Sequence, residues 1–232
     1  MTDTTRHLLR SPHGHGYAIE CRDGTTDWDT AVSSQAGNDE YHLPQGLGGW
    51  AIDVGAHIGT VTVPLLLDNP DLRCIAIEAL PENVAMLRAN IDMNGLAERC
   101  IIVHGAASDS PDDVRIGYSL TNPSDHEPTN VAHRYIGSMG APPDAPDVQV
   151  HGVTLRGAML LRGPDQDEPF AWAKIDCEGC EYAFLGTAWN AMLTYITGEV
   201  HLGWQRLVDI LEPTHTVSGP GEDFGAFQAV LR

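Results

Sequence analysis

The stretch that most constrains this chain is residues 50–60, with the sequence Trp-Ala-Ile-Asp-Val-Gly-Ala-His-Ile-Gly-Thr. A short apolar run ends in Asp53 and Gly55, and Gly59 precedes a helical pattern. A buried parallel strand that turns sharply into a helix at the carboxyl edge of an open α/β sheet has this form. Gly55 can adopt backbone angles that other residues avoid, and Gly59 allows a helix or ligand to approach closely. The stretch therefore predicts an α/β sheet with a ligand site at this turn.

The spacing of these glycines indicates which class of nucleotide site is present. A dinucleotide fingerprint G-x-G-x-x-G that starts at Gly55 requires glycines where this chain has His57 and Thr60. This mismatch argues against a nicotinamide oxidoreductase. The spacing D-x-G-x-x-x-G resembles instead the first motif of class I methyltransferases, which use S-adenosylmethionine (SAM). The alternative is an ordinary strand-to-helix turn of an α/β protein.

Composition limits the partners of the chain. Its 232 residues suit a single α/β domain with a sizeable core. The formal net charge is −19, from 13 Lys+Arg against 32 Asp+Glu. Such an acidic chain repels phosphate groups, whereas nucleic-acid binding depends on neutralising them. We therefore expect neither nucleic acid nor an anionic membrane surface as a partner.

The cysteines and the hydropathy pattern indicate a cytoplasmic protein. The amino-terminal end is polar, and the sequence has no run of 18 apolar residues. The odd number of cysteines lacks a disulfide-scaffold spacing, which predicts reduced thiols. Cys177 and Cys180 form a C-x-x-C pair, but no second pair completes a zinc site.

Apolar runs alternate with helical patterns through most of the chain, which predicts a mostly parallel sheet with helices on both faces. The run that ends at Asp53 is the first strand. Four further strands are predicted at residues 73–77, 100–104, 170–176 and 195–201, and an antiparallel pair at 214–217 and 224–231 closes the chain. Helices are predicted at residues 61–67, 81–93, 153–161, 181–185 and 204–211.

Two segments are expected to cover the carboxyl edge of the sheet. Residues 1–48 are predicted to form an amino-terminal lid, with strands at 7–10 and 17–21 and a helix at 28–35. The SAM-binding domain that this lid covers is predicted to span residues 49–232. Residues 110–146 are rich in Ser, Asp, Asn, Gly and Pro and are predicted to be a long irregular loop. Within it, His133-Arg134-Tyr135 either binds substrate or fixes the loop.

Polar and small residues stand where the predicted strands end, so their side chains should meet in one crevice. Glu78 ends the second strand, where a carboxylate can accept hydrogen bonds from ribose hydroxyls. Gly105 and Ala106 follow the third strand, where small residues leave room for an adenine ring. Asp176, Glu199 and His201 end the next two strands, and the last two share a strand face.

Four segments resemble the FkbM-type SAM-dependent methyltransferases. They are Ile-Asp-Val-Gly-Ala-His-Ile-Gly at 52–59, Ile-Glu-Ala-Leu-Pro-Glu-Asn at 77–83, Lys-Ile-Asp-Cys-Glu-Gly-Cys-Glu at 174–181 and Gly-Glu-Val-His at 198–201. The third is the most specific, and this chain departs from it only in having Cys177 and Cys180. The resemblance implies a Rossmann-like class I fold with seven mostly parallel strands, of which the last is antiparallel. It also implies O-methylation of a small molecule, such as a sugar or a natural-product scaffold.

These patterns assign roles to particular residues. The cofactor-binding residues are expected to be Asp53, Gly55, Ala56, His57, Gly59, Glu78, Ala79, Gly105, Ala106 and Asp176. The catalytic residues are expected to be His201, Glu199 and Asp176, and the substrate-binding residues Glu178, His133, Arg134 and Tyr135. His201 is the predicted base, because an imidazole titrates near neutrality. No metal is expected, and Asp176, Glu178 and Glu199 are the alternative ligands if one is required.

Several alternatives stay open at this point. One alternative is that His57 only fills a turn, and another is that Glu199 and His201 form a structural pair. A SAM-dependent enzyme that transfers an aminocarboxypropyl group or cyclises SAM would carry the same binding motifs, as would a non-catalytic SAM-binding protein. The acceptor, its regiochemistry, O- against N-methylation and the oligomeric state, with a homodimer as one option, also stay open.

Overall fold

The computed structural model describes residues 3–119, 133–136, 147–201, 203–222 and 224–232. The strands, in chain order, are β1 (Thr4–Arg10), β2 (Gly16–Arg22), β3 (Ser34–Gln35), β4 (Asn38–Asp39), β5 (Gly49–Val54), β6 (Leu72–Glu78), β7 (Cys100–His104), β8 (Ala106–Ala107), β9 (Asp113–Ser119), β10 (His133–Ile136), β11 (Asp147–Val153), β12 (Trp172–Ile175), β13 (Tyr195–His201), β14 (His215–Ser218) and β15 (Phe224–Leu231). The helices are α1 (Asp27–Val32), α2 (Thr62–Asp68), α3 (Pro81–Met93), α4 (Leu155–Leu160), α5 (Glu181–Leu185) and α6 (Trp204–Leu211). Short 3-10 helices are Ala97–Arg99, Gly163–Asp165 and Ala188–Met192.

A seven-stranded sheet forms the centre of the fold, with the order β14-β15-β13-β12-β5-β6-β7. The pairs β13–β12, β12–β5, β5–β6 and β6–β7 are parallel, whereas β15 is antiparallel to both of its neighbours. This is the Rossmann-like class I methyltransferase fold, so the predicted fold class is confirmed. The carboxyl ends of β5, β6, β7, β12 and β13 meet at one edge, where ligands bind in open α/β sheets.

Alternate residues of the central strands pack into two separate cores. In β5, Trp50 and Ile52 belong to one apolar cluster, and Ala51 between them belongs to the other. In β6, Ile75 and Cys74 divide in the same way. The first cluster includes buried residues of α4, α5 and α6, and the second those of α2 and α3. This period of two is what a sheet covered on both faces requires.

The amino-terminal hairpin of β1 and β2 lies against helix α3. Asn90 and Asn94 hydrogen-bond the β2 backbone at Glu20 and Ala18, at distances from 2.7 to 3.1 Å. Buried Ile19 and Tyr41 belong to the same apolar cluster as α3. Residues of the amino-terminal segment therefore pack into the core on this face of the sheet.

Two predicted elements differ from the structure. Helix α1 ends at Val32, not at residue 35, because Ser34–Gln35 pairs with Asn38–Asp39 in a small hairpin. Residues 110–146 are not irregular throughout: β9 pairs with β10 and with β11, and β11 pairs with β8, in a second, four-stranded sheet. The remainder of that predicted loop, 120–132 and 137–146, lies outside the described residues.

The other predicted strands and helices are present with similar bounds. None of the helices in the described ranges is long and apolar enough to cross a membrane.

Candidate active site

The turn after β5 adopts a backbone conformation that explains its glycines. Gly55, His57 and Gly59 have φ values of 78°, 52° and 93°. A Cβ atom on Gly55 would collide with the carbonyl oxygen of Asp176. Gly55 is therefore needed both for its φ angle and for its close packing against the loop after β12.

Glu78 at the end of β6 holds this turn and the start of α3 together. Its Oε2 accepts a hydrogen bond from the backbone N–H of His57 at 2.8 Å. Its Oε1 accepts from the backbone N–H of Leu80 at 2.8 Å. The side chain is buried, with 3% of its surface exposed. The carboxylate is thus fixed in one orientation at the edge where the parallel strands end.

A cleft opens at this edge of the sheet. It is lined by the β5 turn, the ends of β6 and β12, and residues that follow β7. Of the ten predicted cofactor-binding residues, the lining includes Gly55, His57, Glu78, Ala79, Gly105, Ala106 and Asp176. The predicted substrate residue Glu178 also lines the cleft.

The structure places Asp53, Ala56 and Gly59 outside the cleft lining. Asp53 is fully buried, where it accepts a hydrogen bond from Thr62. It lies under the turn as a support and does not line the cleft.

Lys174 connects the two loops that border the cleft. Its ammonium group lies 2.7 Å from the Gly55 carbonyl oxygen, 3.6 Å from Asp53 Oδ1 and 3.7 Å from Asp176 Oδ2. Burial lowers the pKa of Lys174, but the carboxylates of Asp176, Asp53 and Glu78 outweigh this effect and raise it. Lys174 therefore stays charged and is a structural cation.

The amino-terminal segment reaches the cleft through a buried ion pair. Asp27, which is fully buried, accepts two side-chain hydrogen bonds from Arg22, each of 2.8 Å. His57 Nε2 lies 3.4 Å from Asp27 Oδ1, and Arg22 also donates to Asn83 at 2.7 Å. Thr30 of α1 lines the cleft as well. The pair thus joins helix α1 to the β5 turn.

Replacing Asp27 with asparagine is expected to destabilise the fold by about 3–5 kcal/mol at pH 7, because it leaves Arg22 with an uncompensated buried charge. Burial raises the pKa of Asp27, but the hydrogen bonds from Arg22 and the nearby His57 outweigh this and lower it below its usual 3.8. A lowered pKa in the folded state gives stability that is present above the unfolded pKa and is lost as the pH falls through the folded one. Urea unfolding should therefore show that the difference in the free energy of unfolding between the wild type and Asp27→Asn becomes smaller below pH 4.

The matched control for this substitution is Asp29→Asn, on the exposed side of the same helix. It should change the free energy of unfolding by less than about 0.5 kcal/mol. Equal effects of the two substitutions would contradict a structural role for the Arg22–Asp27 pair.

A second group of charged side chains stands beside the cleft, at the ends of β12 and β13. His201 Nε2 lies 3.9 Å from Asp176 Oδ1, 3.5 Å from Glu178 Oε2 and 3.7 Å from Glu199 Oε2. Its other ring nitrogen, Nδ1, lies 2.9 Å from Oε1 of the fully buried Glu181. The structure therefore brings the three predicted catalytic residues together, at the side of the cleft that Asp176 lines.

The carboxylates change the titration of His201. Burial lowers the pKa of the imidazole, but the hydrogen bond to Glu181 and the charges of Glu178 and Asp176 outweigh this effect and raise it to about 9. At neutral pH His201 thus carries a proton, which differs from the sequence-based expectation of an imidazole that titrates near neutrality. Burial and the charge of Asp176 raise the pKa of Glu199.

Cys177 and Cys180 form a disulfide in the turn between β12 and α5. The prediction of reduced thiols is therefore wrong for this pair, whereas Cys21, Cys74 and Cys100 are free. The turn places the two Cα atoms 5.5 Å apart, within the range that a disulfide spans.

Sequence reasoning missed residues that reach the site from distant segments. Tyr41 lines the cleft and donates a hydrogen bond of 2.7 Å to Asp176 Oδ2. Burial raises the pKa of its phenol, as does the charge of Asp176, so the hydroxyl keeps its proton. Ile116 of β9 adds an apolar wall. Neither residue lies in a recognisable motif. Glu181 is the last residue of the motif at 174–181, but that motif does not indicate its contact with His201.

His133, Arg134 and Tyr135 belong to β10, which pairs with β9 at an edge of the smaller sheet. Only their backbone lies within the described part of the chain. Their assignment to substrate binding stays a prediction.

No family model matches the chain. Solved structures to which it is similar include precorrin-6y C5,15-methyltransferase from Geobacter metallireducens, with 13% identity over 88% of this chain and 87% of that one and a TM-score of 0.45. A putative O-methyltransferase from Klebsiella pneumoniae has 11% identity over 79% and 73% of the chains and a TM-score of 0.44. The O-methyltransferase from Bacillus cereus in complex with SAH has 12% identity over 79% and 74% and a TM-score of 0.44. Similarities at this level carry no conclusion about activity.

Proposed function

We propose that this chain is a SAM-dependent O-methyltransferase that acts on a hydroxyl group of a small molecule, such as a sugar or a natural-product scaffold. The observation that carries the proposal is the fixed carboxylate of Glu78, which holds the glycine turn after β5 and lines one cleft together with it. The resemblance of residues 52–59, 77–83, 174–181 and 198–201 to FkbM-type methyltransferases supports it.

The cleft residues suit this cofactor. An anchored carboxylate at the end of the second parallel strand can accept hydrogen bonds from ribose hydroxyls. Gly105 and Ala106 leave space for a flat ring, and Ile116 gives that ring an apolar wall. When bound, SAM supplies an electrophilic methyl group. The chain itself binds and orients the two reactants and excludes water from them, which is what an in-line displacement requires.

The trio of Asp176, Glu199 and His201 is proposed to remove the proton of the acceptor hydroxyl. Asp176 lines the cleft, and the other two side chains lie beside it. Because His201 carries a proton at neutral pH, the carboxylates are the proton acceptors within the trio, and His201 balances their charge. We propose that Glu178 and the segment that includes Tyr41 border the acceptor.

Calorimetry with S-adenosylhomocysteine (SAH) tests the cofactor site. The wild type should bind SAH with a micromolar dissociation constant, about −8 kcal/mol, and should not bind NAD. Replacing Glu78 with alanine should weaken SAH binding by about 1.5–3 kcal/mol, the value of hydrogen bonds to a charged group. Glu82→Ala, at an exposed position in the first turn of α3, is the matched control and should leave the affinity unchanged.

Two results would count against this assignment. Equal SAH affinity in the wild type and in Glu78→Ala would remove Glu78 from the ribose site. A wild-type protein that does not bind SAH would reject the proposed function itself.

A further inference from the structure

Three side chains of different elements direct ligand atoms toward a common point beside the cleft. One carboxylate oxygen each of Asp176 and Glu199 and one ring nitrogen of His201 all lie within 4.8 Å of one another. All three residues are half-buried. The set combines two oxygen donors with one nitrogen donor, so it is more selective than a group of carboxylates on a surface.

Partners outside the trio orient two of its members. The Nδ1 atom of His201 is held at 2.9 Å by Glu181, which is fully buried, so that Nε2 faces the two carboxylates. An outer carboxylate that fixes a histidine ring in this way is the usual support of a metal-binding imidazole. Tyr41 and Lys174 occupy the Oδ2 side of Asp176, whereas Oδ1 is the atom nearer to His201.

The charge around the trio favours a cation. The Oε2 atom of Glu181 is buried and has no hydrogen-bond partner among the described residues, so the negative charge behind His201 is only partly compensated. In front of the ring stand Asp176 and Glu199, with Glu178 Oε2 3.5 Å from the same nitrogen. Like charges at such distances repel one another, and without a cation the proton of His201 is the positive charge between them. A divalent cation at this point would displace that proton from Nε2 and compensate the carboxylates more fully.

We propose that Asp176, Glu199 and His201 form a binding site for one divalent cation. Two ligands at about 2.1 Å from one ion lie about 3–4.2 Å apart, depending on their angle. The distances from Nε2 of 3.7 Å to Glu199 and 3.9 Å to Asp176 fall in that range. Imidazole suits ions such as Zn²⁺ and Fe²⁺, and carboxylates suit Mg²⁺ and Mn²⁺. A mixed donor set with solvent access therefore fits Mn²⁺ or a similar divalent ion.

The position of this site gives the cation a role that rests on the proposed function. Asp176 is shared between the cleft and the trio, so the ion would stand next to the acceptor hydroxyl. A Lewis acid in that position lowers the pKa of a bound hydroxyl and orients its oxygen. The proton leaves the hydroxyl to solvent or to a neighbouring carboxylate, and no redox change is involved.

Direct metal binding tests the proposal without any acceptor. The full-length protein is freed of metal by dialysis against a chelator and titrated with MnCl₂, while electron paramagnetic resonance follows the free Mn²⁺. We expect one Mn²⁺ per chain in the wild type. Glu199→Gln and His201→Ala should each raise the dissociation constant at least tenfold. Glu98→Gln, at an exposed position far along the chain from the trio, should not change it.

The possible outcomes separate the cation site from the proposed function. Absence of stoichiometric Mn²⁺ binding, or binding that is unchanged in both variants, overturns the cation site. Circular dichroism confirms that each variant is folded, and if His201→Ala does not fold, the conservative Glu199→Gln decides alone. Calorimetry with SAH on the same samples tests the function: Mn²⁺ binding without SAH binding would retain the cation site and reject the methyltransferase.

Discussion

Replacing His201 with alanine is expected to lower kcat by about 10²–10³, because it removes the preorganised charged partner of the carboxylates that accept the proton. The imidazole is 14% exposed and faces Asp176, Glu178 and Glu199, so its removal leaves crowded carboxylates beside the acceptor. The affinity for SAH should stay within about twofold, because His201 is not among the residues that line the cofactor cleft. Turnover is measured as SAH formation, with the acceptor that gives the highest wild-type rate in a panel of small hydroxyl compounds.

His151→Ala is the matched control for this experiment. The His151 side chain is 84% exposed and pairs with Asp113, away from the trio. Its replacement should leave kcat unchanged. If His201→Ala retained near-normal kcat, His201 would be a structural residue that only holds Glu181.

Replacing Gly55 with alanine should have the largest effect on folding. The substitution combines a left-handed φ of 78° with a collision against the carbonyl oxygen of Asp176. Backbone strain of this kind costs about 1–3 kcal/mol. Overpacking adds about 1–3 kcal/mol. We therefore expect a loss of about 2–6 kcal/mol in the free energy of unfolding, together with a loss of SAH binding.

Gly221→Ala separates the two contributions. Gly221 has nearly the same φ, 75°, but an added Cβ there meets no atom within 4 Å. This control should show only the strain of about 1–3 kcal/mol and normal SAH affinity. Chemical denaturation and SAH calorimetry of both variants make the comparison. Equal losses in the two variants would mean that the close packing of Gly55 against the β12 loop is unimportant.

The sequence allowed the central sheet to be predicted almost strand by strand. Buried parallel strands read as short apolar runs, and turn residues separate them from helices, so β7 and β13 were predicted with their observed bounds. The carboxyl ends of the parallel strands share one edge of the sheet. This rule alone predicts that Glu78, Asp176 and His201 lie near one another, before any side-chain contact is known.

The remaining features depend on contacts between distant segments. Tyr41 and Asp176, which share a hydrogen bond, are 135 residues apart in the chain, and no local pattern indicates such a bond. The strand β9 is rich in polar residues, and its pairing with β10 and β11 forms only through tertiary structure. The raised pKa of His201 likewise arises from Glu181 and Glu178, which another loop brings to it.

The fate of the cofactor tests the central claim most directly. The purified protein is incubated with SAM and the hydroxyl-compound panel, and the nucleoside products are separated by chromatography. The account predicts SAH in amounts equal to a methylated acceptor, with the methyl group on oxygen. Release of methylthioadenosine instead would indicate aminocarboxypropyl transfer or cyclisation of SAM and would contradict methyl transfer.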